Sequence, residues 1–460
     1  MWTSIEKTLL DWIGTVNGFV WGWPTLVLLV GTGIFLSLRL GFLQIRTLPY
    51  ALKLAFSPHQ DQKSKGDISH FQSLMTALAA TIGTGNIAGV ATAVATGGPG
   101  AVFWMWITAL FGMATKYAEA ILAVKYRITN EKGQISGGPM YYIERGLGWK
   151  WLAVLFALFG SIAAFGIGNM TQSHSVAGSI SQLSGDAIPT WVTGLVLTVF
   201  TGLVLLGGIK SIGRVTSYLV PFMAVFYILG GLVIIFLNLD KIPGTLTLIL
   251  SDAFTGEAVA GGLLGQVIKM GVARGLFSNE AGLGSAPIAA AAAKTDHPGR
   301  QALVSMTGTF LDTIVVCSIT GLTIVMSGTY ADPNLEGAQI TMAAFDNVLP
   351  VIGNWTVSIG LILFAYSTIL GWSYYGEKCF TYLFGDKSSL YYRIFFVLVV
   401  FVGAMQEIKL VWDLSDTMNA LMALPNLVGL LLLSGVVVSE TKDFRKIMLK
   451  EQSQKAKQTG

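Results

Sequence analysis

A chain carrying about eleven apolar runs, most of them near 20 residues, has few folds open to it, because such a run matches the ~30 Å hydrocarbon thickness of a bilayer as an α-helix. The runs fall at 23–40, 74–94, 103–124, 152–173, 191–208 and 219–237, then at 259–293, 303–326, 357–379, 394–405 and 418–438. Strands of a membrane barrel would show short alternating segments instead. With 53% hydrophobic and 12% charged residues among 460, the chain has too few charges to cover a soluble globule. The expected fold class is an all-α polytopic membrane protein with about eleven transmembrane helices.

Lys and Arg order these spans across the membrane, since cytoplasmic loops retain them. Arg39, Arg46, Lys53, Lys63 and Lys65 follow the first span, and Lys125, Arg127, Lys132, Arg145 and Lys150 follow the third. Alternate loops continue with Lys210 and Arg214, Lys294 and Arg300, then Lys378, Lys387 and Arg393, and the tail adds Lys442, Arg445, Lys446, Lys450, Lys455 and Lys457. Only Lys7, Lys241 and Lys409 fall on the other side. The expected topology has the N-terminus outside and the C-terminus cytoplasmic, in the cytoplasmic (inner) membrane. No basic n-region or small-residue cleavage site precedes the first run, so no cleaved signal peptide is expected. Residues 43–56 read either as an interfacial helix or as a solvated linker, and 242–257 and 328–346 as outer loops able to act as lids.

Two of the runs are poor helices. Residues 79–89 read Ala-Ala-Thr-Ile-Gly-Thr-Gly-Asn-Ile-Ala-Gly inside an uncharged stretch. Each glycine costs roughly 1 kcal/mol of helix propensity, and freed backbone groups are tolerated at mid-membrane only against protein, water or a ligand. Close helix packing through small residues is the competing explanation. Residues 275–287, Gly-Leu-Phe-Ser-Asn-Glu-Ala-Gly-Leu-Gly-Ser-Ala-Pro, describe a second break within a run too long for one crossing, now with an ionisable Glu280. A cytoplasmic loop is the alternative there. With the first span set aside, each break opens a group of five spans, and two groups of odd number run in opposite senses. Gly-interrupted segments at matching positions of inverted halves point to a transporter's binding site. Half-helix N-termini suit a carboxylate, and freed carbonyls suit a hard cation.

Other polar groups fall within spans. Residues 168–172, Gly-Asn-Met-Thr-Gln, offer amides, and Ser367 and Thr368 form an adjacent hydroxyl pair with Trp372 one turn on, reading either as an oxygen pair for Na⁺ or as hydroxyls back-bonded to the preceding turn. Glu119, Asp312 and Glu377 are read as buried partners of Lys116, Arg274 or Lys378 rather than proton carriers. Cys317 and Cys379 lack metal spacing and read as packing residues, and His59, His70, His174 and His297 are scattered.

Stretches 79–89 and 275–287, with Gly137-Gly-Pro-Met-Tyr-Tyr142, Gly168-Asn-Met170 and Ser367-Thr-Ile-Leu-Gly-Trp372, resemble the alanine or glycine:cation symporter family over nearly the whole chain. The resemblance implies a LeuT-type core of two inverted five-helix repeats (5+5), preceded by one extra N-terminal helix. It divides the chain into 1–70 (first helix and cytoplasmic interfacial linker), 71–240 (first repeat), 241–440 (second repeat) and 441–460 (basic tail). It further implies import of small neutral amino acids, alanine, glycine and possibly D-alanine or serine, by symport with sodium as coupling ion and without other cofactors. Proton coupling, or a preference for glutamine, remains the alternative. Carried over by position, Thr81, Gly83, Thr84, Gly85 and Asn86 line the substrate carboxylate's turn, while Gln172, Phe277, Gly284, Thr368 and Trp372 complete the binding site. The carbonyls of Ala79 and Ile82 with the hydroxyls of Ser367 and Thr368 resemble the fold's sodium site.

Rival classes find little support in the residues. The chain has no His-Glu-x-x-His motif, no phosphate-binding glycine loop ending in Lys-Ser/Thr, and no convincing nucleophile triad, so an enzyme is not expected. No nucleic-acid partner is expected, only solute, ion and membrane lipid; the oligomeric state is left open.

Overall fold

The computed structural model describes residues 2–57, 64–254, 263–406 and 409–459, so His59, Lys63 and residues 255–257 of the expected outer loop lie outside the described residues. The chain begins with α1 (Trp2–Val20) and α2 (Trp23–Arg39), and residues 10–39 together are apolar and long enough to cross a bilayer. Only the second of these was expected from hydropathy. Tertiary docking accounts for the first: Asn17 donates to Asp416 Oδ2 at 2.9 Å, and Trp21 Nε1 to the Asp416 carbonyl at 3.4 Å. Short helices α3 (Leu43–Arg46) and α4 (Leu48–Ala55) follow, so the segment that read as helix or linker is helical.

The first broken span consists of α5 (His70–Thr81), a 3₁₀ turn at Thr84–Asn86 and α6 (Ala88–Gly97), with its two limbs bent by 62°. Ser69 starts α5 with a reciprocal cap: its hydroxyl accepts from Gln72 N–H and its own N–H donates to Gln72 Oε1, both at 3.1 Å. Then come α7 (Ala101–Lys125), a two-stranded hairpin of β1 (Ile128–Thr129) and β2 (Ile135–Ser136), and α8 (Pro139–Tyr142). Helices α9 (Lys150–Phe165) and α10 (Thr171–Leu183) form one span joined by a π-turn at Gly166–Met170. The first half closes with α11 (Thr190–Leu206) and α12 (Gly208–Leu237), and α13 (Ile242–Asp252) follows where a loop was expected.

The second half opens on α14 (Leu263–Asn279) and α15 (Ala286–Ala291). Next, α16 (Pro298–Thr309) runs through a π-turn into α17 (Ser318–Ser327), followed by α18 (Ala338–Asp346), α19 (Ile352–Phe384), α20 (Ser389–Met405), α21 (Lys409–Leu432) and α22 (Ser434–Thr459). Among the described residues seven helices meet the length and hydropathy of a span, or nine if each bent pair is one. Against about eleven expected, α11 has 17 residues and falls short of the usual length, while the second break divides its run into limbs too short to qualify.

Burial sorts the spans into layers. Helices α7 and α19 form the interior; their faces are closed by Ala, Gly and Ser, and Tyr117, Phe364, Trp372 and Tyr375 are sealed from solvent. Helices α12 and α20 turn Phe222, Phe236, Ile394 and Leu398 outward, as lipid-facing helices do. Arg127 joins the starts of the two halves: it donates to the carbonyls of Ala291 (2.9 Å) and Ala293 (2.7 Å) and to that of Lys65 (2.8 Å).

Candidate functional site

Both breaks are present, and they meet. At the first, α5 stops at Ile82 (ψ 90°) and Gly83 is fully extended. The Asn86 side chain closes the turn, its Oδ1 accepting from Gly83 N–H at 2.9 Å. At the second, α14 ends at Asn279, and Glu280 takes a left-handed conformation, φ 55°, before Gly282 and Gly284 at φ 90° and 88°. A non-glycine residue held there is strained, a feature that clusters at ligand sites. Phe277 lies across the first break, close enough that a Cβ on Gly85 would stand 3.4 Å from its ring.

Between the breaks is a cavity of about 20 Å³, room for roughly one water. Thr81, Gly83, Thr84, Gly85, Gln172, Phe277, Thr368 and Trp372 line it, with Ala80, Ile167, Glu280 and Asn419. Gln172 reaches it from the π-turn, donating to Thr84 Oγ1 at 3.3 Å and to the Ile167 carbonyl at 3.0 Å. Gly168 makes that approach possible, since a Cβ there would lie 2.3 Å from Trp372 Cβ. Glu280 is the charged side chain on the wall: Oε1 accepts from Trp372 Nε1 at 3.0 Å and Oε2 from Ser285 at 2.6 Å, leaving acceptor capacity on both oxygens.

Two residues expected in this wall stand elsewhere. Asn86 is fully buried but directs its amide to Asp312 Oδ1 at 2.7 Å, away from the cavity. Gly284 lies at the far end of the second break beside Phe156 and Pro139, its N–H donating to Glu119 Oε1 at 3.1 Å.

Around Ser367 the oxygens expected to hold sodium come together. Its hydroxyl lies 3.1 Å from the Ala79 carbonyl, 3.4 Å from that of Ile82 and 2.8 Å from that of Phe364, and Thr368 Oγ1 is 3.0 Å from the last. The bonds to Phe364 are back-bonds within α19; across the helices, four oxygens, none formally charged, lie together: the Ala79 and Ile82 carbonyls at the first break and the Ser367 and Thr368 hydroxyls. Such a hard, neutral donor set fits a monovalent cation such as Na⁺.

The buried carboxylates do not contact the cations proposed for them. Asp312 accepts from Asn86, from Ser278 (2.9 Å) and from Thr313 (2.8 Å), all neutral. Glu119 accepts from Gly284 N–H and Asn426 (2.7 Å), and Glu377 pairs with Arg393 at 2.7 Å while Lys378 donates to Ser136 at 3.0 Å. For Glu377 and Lys378 the reason is geometric, since helical neighbours at i, i+1 point apart; Asp312 and Glu119 instead take neutral partners from other segments.

Two broken helices crossing at mid-bundle, each opening a set of five, define a LeuT-type transporter fold. Solved structures agree: MhsT in complex with L-phenylalanine superposes with a TM-score of 0.58 at 15% identity, covering 82% of this chain and 93% of that one. The chain belongs to the sodium:alanine symporter family, whose model matches residues 6–458. It is 64% identical over 446 residues to the sodium/alanine symporter AgcS of Methanococcus maripaludis, covering 95% of this chain and 98% of that protein. It is 38% identical over 444 residues to the probable sodium/glutamine symporter GlnT of Bacillus subtilis, covering 96% and 91%.

Proposed function

We propose that this chain imports small neutral amino acids, alanine and glycine first, by symport with Na⁺ through alternating access. The observation that carries this reading is the contiguity of the two sites: Thr368 lines the cavity and turns its hydroxyl toward Gly83 at the first break, next in sequence to Ser367, whose hydroxyl meets the Ala79 and Ile82 carbonyls of the ion cradle. Ion and solute then hold the same broken helix in shape, a reciprocal coupling of about 1–3 kcal/mol. In this reading the amides at Thr84 and Gly85 take the substrate carboxylate and Glu280 its ammonium group, while Phe277 and Trp372 limit the side chain. One methyl is worth only about 1 kcal/mol in such a pocket, so alanine and glycine are poorly separated. The narrow wall favours them over glutamine. We place the protein in the cytoplasmic (inner) membrane with the C-terminus cytoplasmic, on the Lys/Arg distribution, and take 71–240 and 241–440 as the inverted repeats.

The test is uptake of labelled alanine into proteoliposomes under a sodium gradient, a proton gradient, or neither, with glycine, serine and glutamine as competitors. Sodium-driven accumulation blocked by glycine supports the reading. Accumulation driven by a proton gradient alone rejects sodium coupling, and stronger competition by glutamine than by glycine rejects the substrate.

A further inference from the structure

A second concavity, unrelated to the cavity between the breaks, lies where α2 ends. It has a volume of about 420 Å³ and runs between the end of α2, α3 and α22. Four cationic side chains line it, Arg39, Arg46, Lys442 and Arg445, and no carboxylate does. All four are exposed, and none pairs with an acid among the described residues. The nearby acids on α22 are engaged elsewhere: Asp443 pairs with Lys446 at 2.9 Å and Glu440 with Lys125 at 2.7 Å. Beneath the charges the lining is apolar, with Leu43, Val438 and Met448, and Leu38 beside it is 62% exposed.

Arg39 donates to Ser434 Oγ and stacks over Phe35, and Arg46 donates to the Gly41 carbonyl, all neutral partners, so the cluster's positive charge is unbalanced and suits an anion. The groove begins at the last residue of a membrane span, so its occupant has both a charged head and hydrocarbon. We propose that this groove binds one anionic phospholipid, its phosphate held among Arg39, Arg46, Lys442 and Arg445 and an acyl chain laid along Leu38 on α2. Basic pockets at a leaflet surface recognise such headgroups. The lipid bridges two segments remote in sequence, α2–α3 and α22. It therefore holds α22 against α16, where Phe444 stacks on His297 (5.3 Å) and Arg300 pairs with Glu451 (2.6 Å).

The test needs no transport, so it stands or falls apart from the proposed function. The purified full chain in neutral detergent is titrated with phosphatidylglycerol, phosphatidylcholine, inorganic phosphate or glycerol 1-phosphate. Thermal unfolding and native mass spectrometry of retained lipid are both read. Phosphatidylglycerol is expected to raise the midpoint by several degrees over phosphatidylcholine and to remain bound one per chain. Arg46→Gln with Arg445→Gln should abolish that difference, and Arg39→Gln with Lys442→Gln serves as the second pair should the first misfold. Equal effects of the two lipids overturn the proposal, as does a preference that survives both pairs. A shift reproduced by inorganic phosphate or glycerol 1-phosphate also overturns it, making the groove a site for soluble anions.

Discussion

Replacing Gly83 by alanine tests the link between the broken helix and the cation cradle. The Gly83 backbone is extended, φ −137°, so an alanine meets no conformational strain there. What it meets is Thr368: the added Cβ would stand 2.5 Å from Oγ1. An ordinary C···O approach is about 3.3 Å, so the hydroxyl must retreat by about 0.8 Å. Whether Thr368 shifts or rotates, its hydroxyl leaves its present position, since only Oγ1 is too close while Cβ and Cγ2 stand in ordinary contact at 3.6 and 3.7 Å. Metal sites tolerate ligand displacements of only about 0.2 Å, so the cradle loses one oxygen. A hydrogen-bond-scale contact to a charge is worth about 1.5–3 kcal/mol, which corresponds to roughly a 10- to 100-fold weaker sodium affinity. The assay is the sodium concentration giving half-maximal alanine uptake in proteoliposomes, with the thermal midpoint as the control for folding. A well-folded Gly83→Ala protein whose half-maximal sodium lies within twofold of wild type would refute the placement of the ion at Thr368.

Three further outcomes follow from the same geometry. Ser367→Ala removes the hydroxyl shared by the carbonyls of Ala79, Ile82 and Phe364, and should weaken sodium activation by about 10-fold or more while leaving substrate competition order unchanged. Glu280→Gln keeps the shape and the bonds to Trp372 and Ser285 but not the charge, and should weaken alanine binding by about 10-fold or more while leaving binding of lactate, which lacks the ammonium, nearly unchanged; calorimetry on both ligands checks it. His297 caps α16, its Nδ1 accepting from Gly299 N–H, and burial holds its pKa below the usual 6.5 against the pull of Glu440 3.7 Å away. The unfolded chain therefore takes up the proton first as pH falls, so this stabilisation is complete above about pH 6.5 and declines below it. The thermal midpoint should drop more between pH 7.5 and 5.5 in wild type than in His297→Gln.

Much of this arrangement was legible before any coordinates. Both breaks announced themselves because each clusters three glycines with an asparagine in a short stretch of an apolar run, and Ser367 and Thr368 because their hydroxyls stand one turn from Trp372. The Ala79 and Ile82 carbonyls were legible only through the family resemblance, since every residue has a carbonyl. The partner of Asp312 was also hidden, since Asn86 lies 226 residues away and is neutral, whereas charge arithmetic directs attention to Lys116. Asn86 and Gly284 sit in the right motifs but face away from the cavity, because a motif fixes the backbone turn and not which side of it is lined. Helix α1 escaped notice for a different reason. Its polar residues obscure the hydropathy signal, and its place is fixed by Asn17 and Trp21 meeting Asp416.

Arg127 gives this bundle something like a fulcrum. Three carbonyls from the approach to the first broken helix and the exit of the second converge on one guanidinium, so at that end the two halves cannot slide past each other without giving up either the two bonds to Ala291 and Ala293 or the one to Lys65. Any movement that widens the space at mid-bundle must therefore swing about this knot or untie it, and the choice between the two determines which mouth opens.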